Sequence, residues 1–153
     1  MVDQTDVPSR SASAATCWQL LFVCWLIAMA ATLGSLFFSE VMGLIPCELC
    51  WYQRIFIYPL AVILFLGLHP LDTGVVRYAL PLAIIGTLFT LYHCLLFYGL
   101  IPENMQPCRQ GVSCADEGMV LMGFLPIPLL SLAAFVMMIV LLLKVRLLAK
   151  QSV

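Results

Sequence analysis

Long stretches of this chain carry no charge. There is no Asp, Glu, Lys or Arg from Cys17 to Phe38, from Ile55 to Leu68, from Tyr78 to Leu100, or from Met119 to Leu143. A helix needs about 20 mostly apolar residues to cross a bilayer, so the pattern predicts four membrane-spanning helices. Composition points the same way. Only 10% of the 153 residues are charged and 63% are hydrophobic, whereas a soluble domain carries about 25% charged residues. Such a chain has too little polar surface to face water as a globular domain. It is neither a disordered segment nor a nucleic-acid binder.

The expected fold class is an all-α membrane protein, a four-transmembrane-helix bundle in up-and-down order. The helices are expected at about 17–38, 51–68, 78–100 and 126–148 of a single domain, 17–148. Tails at 1–16 and 149–153 flank it, and no repeat or long linker separates a second unit. Pro126 and Pro128 mark the start of the fourth helix, because proline suits the first helical turn. Ala115 to Leu125 is then expected on the membrane surface. Ala28-Met29-Ala30 has the small-x-small look of a signal cleavage site. The preceding region holds Asp3, Asp6 and only Arg10, and the apolar run continues through Phe38. A secretory signal needs a basic leader, so the first helix is expected to be retained.

The seven basic residues set an orientation. With four spans both termini share a side with the loop from His69 to Arg77. That side holds Arg10, Arg77, Lys144, Arg146 and Lys150, against Arg109 and the boundary residue Arg54 on the other. Cytoplasmic loops carry the excess of Lys and Arg, so both termini are expected to be cytoplasmic.

The seven cysteines then sort by depth. Cys17, Cys24 and Cys94 fall within the apolar stretches, where a thiol acts as a small apolar packing group. Cys47, Cys50, Cys108 and Cys114 fall in or beside the two outward loops, in a compartment where disulfides form and persist. Cys47-Glu48-Leu49-Cys50 is a Cys-x-x-Cys pair at the mouth of the second helix, just after Pro46. A helix N-terminus favours a thiolate, the species that disulfide exchange requires. Cys108 and Cys114 enclose five residues, Gly111 among them.

Three chemistries fit these cysteines: redox exchange, two structural disulfides, or a zinc ion held by four thiolates. An exported thiolate site for zinc would compete with oxidation. A Cys47–Cys50 ring is too short to restrain much chain. Arg54, four residues after Cys50, adds a fixed positive charge on the same helix face. It is either a snorkelling side chain at a helix end or a stabiliser of a thiolate and of an anionic electron acceptor. In a membrane the available two-electron carrier is a quinone, ubiquinone or menaquinone. No nucleotide, haem or flavin signature is present, and no metal is expected.

Pro46-Cys47-Glu48-Leu49-Cys50-Trp51-Tyr52-Gln53-Arg54, followed by a long apolar helix, resembles the signature of the DsbB family of disulfide-bond formation proteins. The resemblance runs from the first span onward and includes the second cysteine pair before the fourth helix. It implies a relay. A periplasmic DsbA-like thioredoxin-fold oxidase would attack a Cys108–Cys114 disulfide, with Cys108 forming the mixed disulfide. Electrons would pass to Cys47 and Cys50, and Cys50 would interact with the quinone beside Arg54. Thr90-Leu91-Tyr92-His93 is similar to the family's third-helix segment beside the quinone. On that likeness His93 would help to hold the cofactor, although a hydrogen-bonded bundle histidine fits equally. The loop between Cys108 and Cys114 is much shorter than in better-known members and resembles a short-loop branch. Relatives of vitamin K epoxide reductase place their Cys-x-x-Cys before the last helix, the reverse of the order here. Readings of another class are a membrane scaffold or a metal-binding module with structural cysteine pairs.

Overall fold

The computed structural model describes residues 7–101, 120–121 and 125–151. Four long helices dominate: α1 Val7–Leu36, α2 Glu48–Leu68, α3 Val76–Phe97 and α4 Ile127–Gln151. All four are long and apolar enough to cross a membrane. Each packs chiefly on two neighbours, in the ring α1–α2–α3–α4 closed by α4 on α1. The protein is a four-helix membrane bundle.

The ends of the helices differ from the apolar stretches for local reasons. α1 begins at Val7, ten residues before Cys17. The intervening Ala and Arg residues favour helix, and Pro8 sits in the first turn, where its missing N–H costs little. At its far end α1 widens into a π-helical turn, Phe37–Val41. Gly43 follows with φ +65°, a value that suits glycine. α3 ends on Gly99, φ +68°. There Gly99 N–H donates to the Leu96 carbonyl and Leu100 N–H to that of Leu95, both at 3.0 Å. These are the two bonds of a Schellman cap. α4 starts at Ile127, between the two prolines. Just before it, β1 Val120–Leu121 pairs antiparallel with β2 Leu125–Pro126. That two-residue ladder is the described part of the segment expected on the membrane surface.

The interior is built from small and medium apolar residues. Leu21, Cys24 and Ala28 of α1, Leu60 and Leu64 of α2, Ala79 and Ala83 of α3, and Met138, Leu142 and Val145 of α4 are all fully buried. In lipid, helices associate by close packing rather than by escape from water, so small interface residues matter. Gly86 is the clearest case, because a Cβ there would meet the Phe135 ring of α4. The outer faces carry exposed large apolar side chains on every helix, Leu33, Val62, Leu88 and Leu147 among them. A belt of that extent requires a nonpolar solvent. Cys17, Cys24 and Cys94 are buried free thiols inside the bundle.

Candidate active site

Cys47 and Cys50 stand at the start of α2. Cys47 is its N-cap: the backbone is still extended (φ −69°, ψ 168°), and its Sγ accepts from the Cys50 backbone N–H at 3.4 Å. The cap folds the first turn so that the two sulfurs lie 3.1 Å apart, both as free thiols. Cys47 is only 2% exposed, against Leu49 and Leu96, while Cys50 is partly open. Cys108 and Cys114 lie outside the described residues, as does Arg109.

His93 reaches the pair from α3. Its Nε2 lies 3.8 Å from Cys47 Sγ, and its Nδ1 is 3.0 Å from the Gln53 side-chain amide nitrogen. His93 is 1% exposed and Gln53 8%. The fixed ring orientation comes from that amide, one turn along α2 from Cys50. Cys47 is held below the ordinary thiol range. The chief cause is the hydrogen bond from the Cys50 thiol. Burial works against it, and His93 adds a further hydrogen bond and a favourable charge interaction. Negative charge in a reduced pair is therefore favoured at Cys47, which places the Cys50 thiol to donate to it across the 3.1 Å separation.

Arg54 is held by groups other than the thiols. One Nη donates to the Ser35 carbonyl at 3.0 Å, and the guanidinium lies 5.3 Å from the centre of the Trp51 ring. Ser35 belongs to the last α-turn before the π-helical one, where the exposed carbonyl ends of a helix carry partial negative charge. The cation is thus 9% exposed yet partnered on two sides. Its Nε is buried and has no hydrogen-bond partner among the described residues.

Beside these groups is a cavity of about 650 Å³ between α1, α2 and α4. Its walls are mainly apolar, with Phe38, Ile45, Leu130 and Phe135 among them. Cys50, Gln53, Arg54, Ser35 and Ser131 supply the polar atoms. The volume suits a small organic ligand, for which pockets run to about 300–1,000 Å³. No α3 residue lines it, so His93 joins the site through Cys47 and Gln53 rather than through the cavity wall. Gln53, read in the sequence only as part of a motif, is the residue common to both sides. Its signal was a polar side chain one turn after Cys50 in an otherwise apolar helix.

The profile of the family described as Disulfide bond formation protein DsbB matches residues 16–145. This chain belongs to the DsbB family. It is 48% identical over 130 residues to a Probable disulfide formation protein of Metapseudomonas resinovorans, covering 84% of this chain and 90% of that one. It is 44% identical over 122 residues to Disulfide bond formation protein C of Bacillus subtilis, covering 78% and 87%. A Probable disulfide formation protein of Deinococcus radiodurans is 42% identical over 131 residues, covering 80% and 85%. No solved structure matches the chain. As a DsbB-family member with four spanning helices it is a multi-pass inner-membrane protein. Its role is disulfide bond formation, and its activity is that of a disulfide oxidoreductase.

Proposed function

We propose that this protein is a quinone-dependent thiol oxidase that reoxidises a DsbA-like thioredoxin-fold protein outside the cytoplasm. The observation that carries the reading is the division of labour around the Cys-x-x-Cys pair. Cys50 and Arg54 border an apolar cavity, whereas Cys47 is bonded to a buried histidine away from it. The apolar walls, the adjacent thiol and the lining Arg54, whose buried Nε has no partner among the described residues, fit a quinone, with Arg54, Gln53 and Ser131 as the polar groups that would hold it. When bound, a quinone supplies a two-electron, two-proton acceptor.

The chain's own residues would do the rest. A thiolate of the reduced partner attacks Cys108 of a Cys108–Cys114 disulfide. The partner's second thiol then displaces Cys108, so the partner leaves oxidised and the loop pair is reduced. A loop thiolate next attacks Cys47 of the Cys47–Cys50 disulfide and expels Cys50. The second loop thiol resolves that mixed disulfide and expels Cys47. A sulfur with a depressed pKa is a good leaving group, and the hydrogen bonds from Cys50 and His93 give Cys47 that character. His93 Nε2 is placed to exchange a proton with Cys47, and Gln53 fixes its ring. Arg54 would stabilise negative charge at the cavity end of the pair.

The test is quinone reduction by purified protein with a reduced thioredoxin-fold donor. Stoichiometric loss of donor thiols and of quinone is expected, abolished in Cys50→Ala. Donor oxidation that proceeds equally without quinone overturns the reading.

A further inference from the structure

We propose that the reduced Cys47–Cys50 pair and His93 form a zinc-binding site that exists only in the dithiol state and holds the protein there. The inference concerns regulation of the proposed redox site and rests on that reading only in requiring a reducible pair.

The ligand atoms are already gathered. Cys47 Sγ, Cys50 Sγ and a ring nitrogen of His93 all lie within 4.8 Å of one another. Zinc–sulfur and zinc–nitrogen bonds of about 2.3 and 2.0–2.1 Å in a tetrahedron need separations of about 3.8 Å between sulfurs and about 3.6 Å between sulfur and nitrogen. The observed 3.1 Å between the sulfurs and 3.8 Å from Cys47 to His93 Nε2 lie within ~0.7 Å of those values, and the Cys50 to His93 separation is under 4.8 Å. Two thiolates and one imidazole make a donor set that zinc prefers.

The surroundings complete the case. A ligating histidine commonly gives its other ring N–H to an acceptor that fixes the tautomer. Gln53 already sits 3.0 Å from His93 Nδ1. Its amide can present either face. With nitrogen toward the ring, Nδ1 accepts and Nε2–H points at Cys47. Rotated by half a turn, its oxygen accepts from Nδ1–H, and the Nε2 lone pair faces the sulfurs. Charge also balances, since two thiolates neutralise Zn²⁺. A neutral unit suits a place where Cys47 and His93 are 2% and 1% exposed. Cys50 lines the cavity, which provides both an entry path and room for water as a fourth ligand.

No electrons move in binding: Zn²⁺ replaces the thiol protons. Oxidation of the pair to a disulfide removes both thiolates and releases the ion. Zinc is therefore expected to inhibit turnover reversibly by trapping the reduced protein.

The experiment uses the full-length Cys108→Ser/Cys114→Ser variant, which removes the other thiol pair. After reduction with a phosphine and removal of the reductant, it is titrated with Co²⁺ and then with Zn²⁺. One Co²⁺ per chain is expected, with thiolate-to-metal charge-transfer absorption that Zn²⁺ bleaches and that is absent from the oxidised protein. Cys50→Ala should abolish it. Gln53→Leu should weaken binding about 10- to 100-fold. His93→Ala, or His93→Gln should the first not fold, should change the spectrum and weaken binding at least as much. Absence of the band in the reduced protein, or unchanged affinity and spectrum in the folded His93 variant, overturns the proposal. Neither quinone nor partner is present, so failure here is distinct from failure of the oxidase reading.

Discussion

At the scale of single residues, two side chains report on the two halves of the site. Arg54 is buried, anchored to the Ser35 carbonyl and set over the Trp51 ring, and it lines the cavity while its Nε has no hydrogen-bond partner among the described residues. A hydrogen bond to a charged group contributes about 1.5–3 kcal/mol, reduced here where the site meets solvent. Arg54→Met is expected to raise the quinone KM and slow quinone reduction about tenfold to thirtyfold, about 1.4–2 kcal/mol. Partner oxidation in a single turnover should be spared, because that exchange does not use the cavity. Arg54→Lys should be milder, since it keeps the charge and loses the planar fork. Stopped-flow measurement of the two half-reactions separates these outcomes, and a defect confined to partner oxidation contradicts the assignment. Cys47 reports on the other half. Its pKa is depressed by the Cys50 hydrogen bond first and by His93 second. An acid with a lowered pKa stays ionised as pH falls from the ordinary thiol value of about 8.5 and protonates only through the lower one. In the reduced Cys108→Ser/Cys114→Ser variant, thiolate ultraviolet absorbance should therefore persist well below pH 8.5. Cys50→Ala and His93→Leu should each move its loss toward higher pH, and Cys50→Ala should move it further.

At the scale of elements, the approach of α3 to α4 links packing to the cavity. Phe135 lies over Gly86 and also forms part of the cavity wall. A methyl at position 86 has no room unless the ring moves, and overpacking of this kind costs about 1–3 kcal/mol. Gly86→Ala is expected to lower the unfolding temperature in detergent and to raise the quinone KM as the ring shifts. An unchanged KM with lowered stability would show that the ring moves away from the cavity. Depth should also sort the cysteines. Cys24→Ser and Cys94→Ser, inside the bundle, are expected to leave turnover largely intact, while Cys108→Ser abolishes it in the quinone assay. Much of this was legible in the sequence. The uncharged runs marked the four helices, and Pro46 with Cys47-x-x-Cys50 marked the mouth of α2. The early start of α1 was not legible, because hydropathy sees the membrane and not the helix that projects beyond it. The cavity wall was not legible either. Ser35, Phe135 and Ser131 come from α1 and α4, and only packing brings them to Arg54. The resemblance set Thr90 to His93 beside the quinone, and the described cavity lies between α1, α2 and α4. His93 meets the thiol pair, a contact that only the packing of α3 on α2 reveals.

At the scale of the whole molecule, the basic cluster and the Cys47–Cys50 pair lie at opposite ends. Cys47 and Cys50 open α2, whereas Arg77 opens α3 after the turn that closes α2. Arg77, Arg146 and Lys150 border one recess between α3 and α4, so the basic residues of three separate sequence positions share one end of the bundle. Lys144 is on the same closing turns of α4, and Arg10 falls in the opening turns of α1. Membrane insertion retains such clusters on the cytoplasmic side, and thiol exchange with an exported partner requires the opposite side to be oxidising. Both arguments predict the same orientation, although one concerns insertion and the other redox chemistry. A reporter that is active only outside the cytoplasm should be silent when fused after Val153 and active when inserted near Gln110. The charge argument makes a further demand. Replacing Arg77, Lys144, Arg146 and Lys150 together by Gln, while adding lysines beside Gln110, should produce a population with inverted reporter signals and a matching loss of disulfide formation. Activity of the Val153 fusion in the unmodified protein would overturn the orientation, and with it the assignment of the cysteine pairs to the oxidising side.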